Sequence, residues 1–301
     1  MAAKSRTRKR RQSRERSASP VPAPSTAGRT APRRLAAVRL VHPFPSLLVT
    51  ALTLALVPLA DRGAPGSLYA ELGLGMLCYQ FAIGVTNDIA DAELDAATKP
   101  WKAIPAGAIS SRAATMLAAL LAGAGLVVTL PLDFGPWLIG LAGLSLGLLY
   151  DVALKRSSLS FVPWALAFPL IPVWVFSAAG AWEPLLWWTF PLGFVLGIAV
   201  QLANQSPDAR EDREGGVRGV AQRLGSRRSA RLSLALFGAG SSAAVVILLF
   251  ADPAWAGLCA ATATVALLLA PRAVRFFGRD GLFGLLAASS ALLAVLFLSA
   301  V

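Results

Sequence analysis

The stretch LYAELGLGMLCYQFAIGVTNDIADAELD, residues 68–95, holds the two facts from which the rest of the chain is read. Its first part, Leu68–Val85, is a mostly apolar run, interrupted by Glu71 and Gln80, long enough for the roughly 30 Å hydrocarbon core of a bilayer. Its second part, beginning at Asn87, places four acids within nine positions. A membrane span that ends in a row of hard oxygen donors is an expensive arrangement, and such residues are kept for function.

Working outward, the same kind of run recurs. Nine are present: Phe44–Ala60, Leu68–Val85, Ala113–Leu130, Pro136–Tyr150, Leu159–Ala179, Leu185–Ala203, Leu232–Phe250, Trp255–Ala270 and Leu282–Val301. The run from Pro136 is the shortest. The chain is 56% hydrophobic and 15% charged, against about 25% charged in soluble domains, and its mean hydropathy is +0.62. Backbone groups in lipid must bond internally, and long non-alternating runs do so as helices. The expected fold is all-α, an integral membrane bundle of about nine transmembrane helices. Gly140, Gly143, Gly147, Gly238 and Gly240 would let neighbours approach closely.

Net charge is +12. If the N-terminus is cytoplasmic, all but Arg62 of the 28 Lys and Arg fall on the cytoplasmic side, as the positive-inside rule requires. The expected location is therefore the plasma (inner) membrane, with the N-terminus and the charged loops cytoplasmic. The basic excess is topology and calls for no nucleic acid partner. Residues 1–34, rich in Arg, Ser, Pro and Ala, are expected to form a disordered basic tail rather than a signal peptide, able to meet anionic lipid headgroups. Residues 35–301 form one membrane domain. Cys78 and Cys259 fall inside runs at no metal-ligand or CxxC spacing and read as packing residues.

The acids repeat a pattern. Asn87, Asp91 and Asp95 read N-x3-D-x3-D, and so do Asn204, Asp208 and Asp212. On a continuous helix these positions share one face. Each motif starts where a run ends on the same side, at the second and sixth runs, so the chain is expected to consist of two repeated halves in parallel. Five Asp and three Glu of the chain's 16 acids lie in or just after these motifs. Carboxylate and amide oxygens suit Mg²⁺ together with phosphate oxygens, and metal bound there would stabilise charge on a departing diphosphate. Basic residues stand close by: Lys99 and Lys102 after the first motif, Arg218 and Arg223 after the second, and Tyr150-Asp151 followed by Lys155-Arg156 between the fourth and fifth runs. Lys and Arg bind free phosphate oxygens. Arg39 and His42, the one histidine, precede the first run. A single histidine argues against a His metal site, and it reads as an interface residue or a contact to a substrate head group.

At these residues the chain resembles the UbiA superfamily of intramembrane prenyltransferases, of the 4-hydroxybenzoate polyprenyltransferase kind. The marks are Asn87-Asp88-x-x-Asp91-x-x-x-Asp95, Ile104-Pro105-Ala106-Gly107, Tyr150 with Lys155-Arg156, and Asp208-x3-Asp212 with Gly216, Arg218 and Arg223-Leu224-Gly225. The resemblance covers about 36–301 and implies a nine-helix architecture. It implies Mg²⁺-dependent transfer of a prenyl group from its diphosphate to an acceptor, most often an aromatic quinone precursor, sometimes a lipid. By position, Asn87, Asp91, Asn204, Asp208 and Asp212 would hold Mg²⁺, and Asp88, Asp91, Asp95, Asp208 and Asp212 would form the catalytic acids. Arg39, Lys99, Lys102, Tyr150, Lys155, Arg156 and Arg218 would contact the diphosphate, above a cavity open sideways to lipid. The family's Arg-Pro-x-Arg-Pro is here Lys99-Pro100-Trp101-Lys102-Ala103, and Gln205 and Pro207 stand inside the second motif. A terpene cyclase on the same fold, or a transporter, are the competing readings of the residues.

Overall fold

The computed structural model describes residues 39–300, so the tail expected at 1–34 lies outside the described residues. Among those residues the secondary structure is helical: α1 (Pro43–Ala60), α2 (Gly66–Ala90), α3 (Ala92–Thr98), α4 (Ser111–Val128), α5 (Phe134–Leu149), α6 (Phe161–Ala178), α7 (Thr189–Gln205), α8 (Ala209–Glu214), α9 (Val220–Leu224), α10 (Ser226–Ala251), α11 (Pro253–Phe277) and α12 (Gly281–Leu298). Nine of these are long and apolar enough to cross a membrane; α3, α8 and α9 are short. The short run from Pro136 gains its length from a π turn, Tyr150–Leu154, that continues α5 to a 21-residue span.

Several ends are set locally. Ser110 caps α4 by accepting from the Ala113 amide, and Asp252 caps α11 by accepting from Ala254; both satisfy donors a helix start leaves free. Pro43 and Pro253 sit in the first turns, where the missing N–H costs nothing.

The spans form a ring. Packing runs α1 to α2, α2 to α4 and to α5, then α5 to α6, α6 to α7, α7 to α10, α10 to α11 and α11 to α12, and α12 returns to α1. Small residues make the closest approaches. A Cβ on Gly197 would lie 2.7 Å from the Trp164 carbonyl oxygen, and one on Gly147 would lie 2.3 Å from Ile83. Gly143, grouped with Gly147 in the sequence, has nothing within 4 Å. Buried positions include Leu56, Leu72, Phe176, Phe237 and Leu248, while Phe250, Leu120 and Leu268 point outward and exposed. A water-soluble protein would not leave such side chains out; a lipid-facing wall does. Trp182, Trp187 and Trp188 gather at the ends of α6 and α7 away from the motifs, as an interfacial belt requires.

Candidate active site

The two motifs are built the same way, and not as one helix each. The chain leaves α2, turns at Asp91 and restarts as α3; it leaves α7, turns at Asp208 and restarts as α8. The turning residues have nearly the same backbone, φ −94° and ψ −2° at Asp91, φ −95° and ψ 0° at Asp208. The expectation of one continuous face is therefore corrected: each motif is a helix end, a bend and a new helix start. Different residues stand at the same bend. At the first, the Arg156 guanidinium donates to the Ala90 carbonyl at 2.8 Å and takes an acceptor from the helical ladder. At the second, Pro207 has no N–H to give. The repeat of two halves is thus visible in the backbone.

The bends face each other across the charged end of one cavity of about 1310 Å³. Below them the walls are apolar, including Leu52, Met76, Phe168, Trp174 and Leu196. Lys99, which follows the first motif, reaches Asp208 of the second at 2.6 Å, and Lys155 reaches Asp91 at 2.5 Å. Asn87, Asp95, Asn204, Asp212, Tyr150 and Arg156 also line this end. Gln222 donates to Asp212 at 3.0 Å. Burial pushes the Asp212 carboxyl above its ordinary value, and nearby Asp208 adds to that against the Gln222 bond.

Three expected site residues stand elsewhere. Asp88 is buried and does not line the cavity; it pairs with Lys102 at 2.8 Å and His42 at 3.1 Å. It lies one position past Asn87 on α2, a turn of about 100° away from the cavity face. Lys102 does reach the cavity wall, but its ammonium is held between Asp88 and Asp95, at 2.8 and 2.7 Å. Burial alone would lower the Lys102 pKa; the two carboxylates outweigh it and raise it. The neighbouring Ala103, buried against Leu40, Val85 and Ala114, pins the loop in place. Arg218 is exposed and faces a separate shallow pocket with Arg213 and Arg223, because its backbone N–H is tied to the Arg156 carbonyl. Arg39 is exposed and outside the cavity wall.

One residue not expected at the site is brought in. Asp151 is buried in the cavity wall and accepts a 2.7 Å hydrogen bond from the Asn87 amide. Tyr150 beside it accepts from Gln205 at 3.1 Å. The available signal was its place four positions, about one helical turn, before Lys155.

These donors suit Mg²⁺ in one particular manner. Among the described residues no three His, Cys, Asp or Glu side chains cluster tightly enough to cage a metal ion. Instead Asp91 and Asp208 carry lysine ammonium ions. Positive charge thus already occupies the two bends, and hard oxygens converge there. Magnesium held by one or two carboxylates and completed by substrate phosphate needs just such an open set.

The UbiA prenyltransferase family model matches residues 47–282. The chain belongs to the UbiA prenyltransferase family. Among curated relatives, it is 29% identical over 189 residues to a probable homogentisate phytyltransferase 2 (chloroplastic) of Oryza sativa subsp. japonica, covering 58% of this chain and 49% of that one. It is 34% identical over 158 residues to the digeranylgeranylglyceryl phosphate synthase of Methanoregula boonei, covering 50% and 55%. The chain thus spans about half the length of the curated relatives it matches. Among solved structures, a UbiA homologue from Archaeoglobus fulgidus bound to GPP and Mg²⁺ superposes with a TM-score of 0.65 at 16% identity, covering 87% of this chain and 99% of that one. A structure from work on digeranylgeranylglyceryl phosphate synthase in membranes gives 0.66 at 16% identity, covering 89% and 98%. At these identities the likeness establishes the shared fold.

Proposed function

We propose that this protein transfers a prenyl group from its diphosphate to an acceptor, with Mg²⁺ and the diphosphate held between the two bends. The observation that carries the reading is the Lys99–Asp208 pair at 2.6 Å, which joins the two acidic motifs over the head of a long apolar cavity. An anionic head and an apolar tail are the two ends of such a donor. The binding of GPP and Mg²⁺ by the Archaeoglobus homologue supports the same class of ligand.

Asn87, Asp91, Asp208 and Asp212 would hold the metal, with Asn204 beside them. Bound there, Mg²⁺ neutralises charge on the leaving diphosphate. Lys99, Lys155 and Arg156 take the remaining phosphate oxygens; Lys99 and Lys155 turn from their carboxylates to do so. The allylic C–O bond breaks with its electron pair on the diphosphate, inside walls that exclude water. The acceptor's carbon then forms the new C–C bond and loses a proton. An aromatic quinone-type acceptor is the primary assignment, in keeping with the homogentisate relative; the lipid-synthase relative supports a glycerol-phosphate acceptor as the second. The charged end faces the cytoplasm, given that Arg62 alone of 28 basic residues would lie opposite.

The test is diphosphate release from purified protein in nanodiscs, with geranylgeranyl diphosphate, Mg²⁺ and a panel of acceptors: hydroxybenzoate, dihydroxynaphthoate, homogentisate, a geranylgeranylglyceryl phosphate, or none. Release that needs Mg²⁺, one acceptor and an intact Asp208, read against Asp208→Ala, supports the transferase and names its acceptor. Release without any acceptor points to a cyclase. No release from folded protein with any prenyl length overturns the enzyme reading.

A further inference from the structure

We infer that Asp151 is a positioning residue: its carboxylate fixes which atom Asn87 presents to the metal–diphosphate. The inference rests on the function proposed above. An asparagine side chain has one face that donates and one that accepts, and a half-turn of the amide exchanges them. A carboxylate can only accept. The 2.7 Å contact from Asn87 to Asp151 Oδ1 therefore places the amide nitrogen against Asp151 and leaves Asn87 Oδ1 as the atom available to the cavity. Without Asp151, nothing among the hydrogen bonds of the described residues selects the oxygen.

The backbone is shaped for this contact. Tyr150–Leu154 is a π turn, closed by the Lys155 amide donating to the Tyr150 carbonyl at 2.7 Å. Such single turns concentrate at functional sites. Here the turn sets Tyr150 against Gln205 of one half, and Asp151 and Lys155 against Asn87 and Asp91 of the other. Asp151 is 5% exposed. Its second oxygen has no hydrogen-bond partner among the described residues, so Asn87 is the group this carboxylate holds. Asn204, which occupies Asn87's place in the second motif, is exposed and has no such orienting carboxylate among the described residues. The two half-sites are thus unequal, one amide preset and the other free.

The experiment is Mn²⁺ binding, followed by the free-ion EPR signal, with the protein in nanodiscs and an unreactive geranyl S-thiolodiphosphate present. Residues that orient a ligand change metal affinity by about 10–100-fold. Asp151→Ala should weaken Mn²⁺ binding about tenfold or more, and Asp151→Asn, whose amide oxygen still accepts from Asn87, should restore most of it. In an Asn87→Ala background, Asp151→Ala should add little, since the two act as one unit. Equal affinity of wild type and Asp151→Ala would overturn the inference. So would additive losses, or Asp151→Asn binding no better than Asp151→Ala, which would assign the effect to Asp151's charge or to direct ligation. Wild type that binds no Mn²⁺ in this assay, while folded, sinks the metal–diphosphate reading itself.

Discussion

Lys102→Met is expected to unfold the protein more easily rather than simply to weaken donor binding. The ammonium of Lys102 lies 2.8 Å from Asp88 and 2.7 Å from Asp95, whose side chains are 5% and 4% exposed. Removing one partner of a buried ion pair costs about 3–5 kcal/mol, because the remaining charge is left without compensation. Here one cation serves two acids, which argues for the upper part of that range. Two facts pull it down: Lys102 itself is 23% exposed to the cavity, and His42 stays 3.1 Å from Asp88. Asp95 is the residue left bare. The net expectation is a loss of about 3 kcal/mol, or on the order of 6 °C in melting temperature for a chain this size.

The assay is thermal unfolding in detergent, paired with donor KM. Lys102→Met/Asp95→Asn should recover a substantial part of the loss, since it removes the bare carboxylate. The pH dependence has a definite sign. The folded pKa of Lys102 is raised above its unfolded value, so its contribution is complete below the ordinary lysine value of about 10.4 and disappears as pH climbs through the folded value. The gap between wild type and variant should stay level from neutral pH to about 9 and close only at higher pH. A variant that melts with wild type but shows a large rise in donor KM would refute the reasoning and restore Lys102 to the phosphate contacts.

Asp91→Asn should abolish acceptor-dependent diphosphate release while shifting the melting temperature little, whereas Asp88→Asn should lower the melting temperature and retain measurable turnover; both are read by the same release and melting assays. Arg218→Ala should leave donor KM within about twofold of wild type, because the side chain faces away from the cavity; a tenfold rise would show that it reaches the diphosphate. Gly197→Ala should cost about 1–3 kcal/mol by overpacking, since the added methyl meets the backbone of Trp164 at 2.7 Å, and differential melting would register it.

The chemistry of the site depends on two halves meeting. Neither bend alone assembles the oxygens that a metal–diphosphate needs, and Lys99 and Lys155 each cross from their own segment to an acid on another. Both stabilise a pair of carboxylates that would otherwise repel. In the structure the lysines are the counter-ions. In the proposed reaction they would become phosphate ligands, and that exchange would keep like charges apart.

The sequence by itself determined the nine membrane-spanning runs and the pairing of the motifs. Those features rest on local facts: apolar runs long enough for a bilayer, and oxygen donors repeated at matched run ends. It also contained Pro207, and so the break in the second motif. The break at Asp91 was not local. Arg156, 66 positions away, donates to the Ala90 carbonyl at that bend, and no spacing within the motif announces that contact. Tertiary structure likewise decided which charges face the cavity. Asn87 and Asp88 are neighbours in the chain, yet one looks into the cavity and the other is sealed under Lys102 and His42. Charge and spacing are the same for a phosphate ligand and for a buried counter-ion. Only the direction of each side chain separates them, and that direction is fixed by what packs around it.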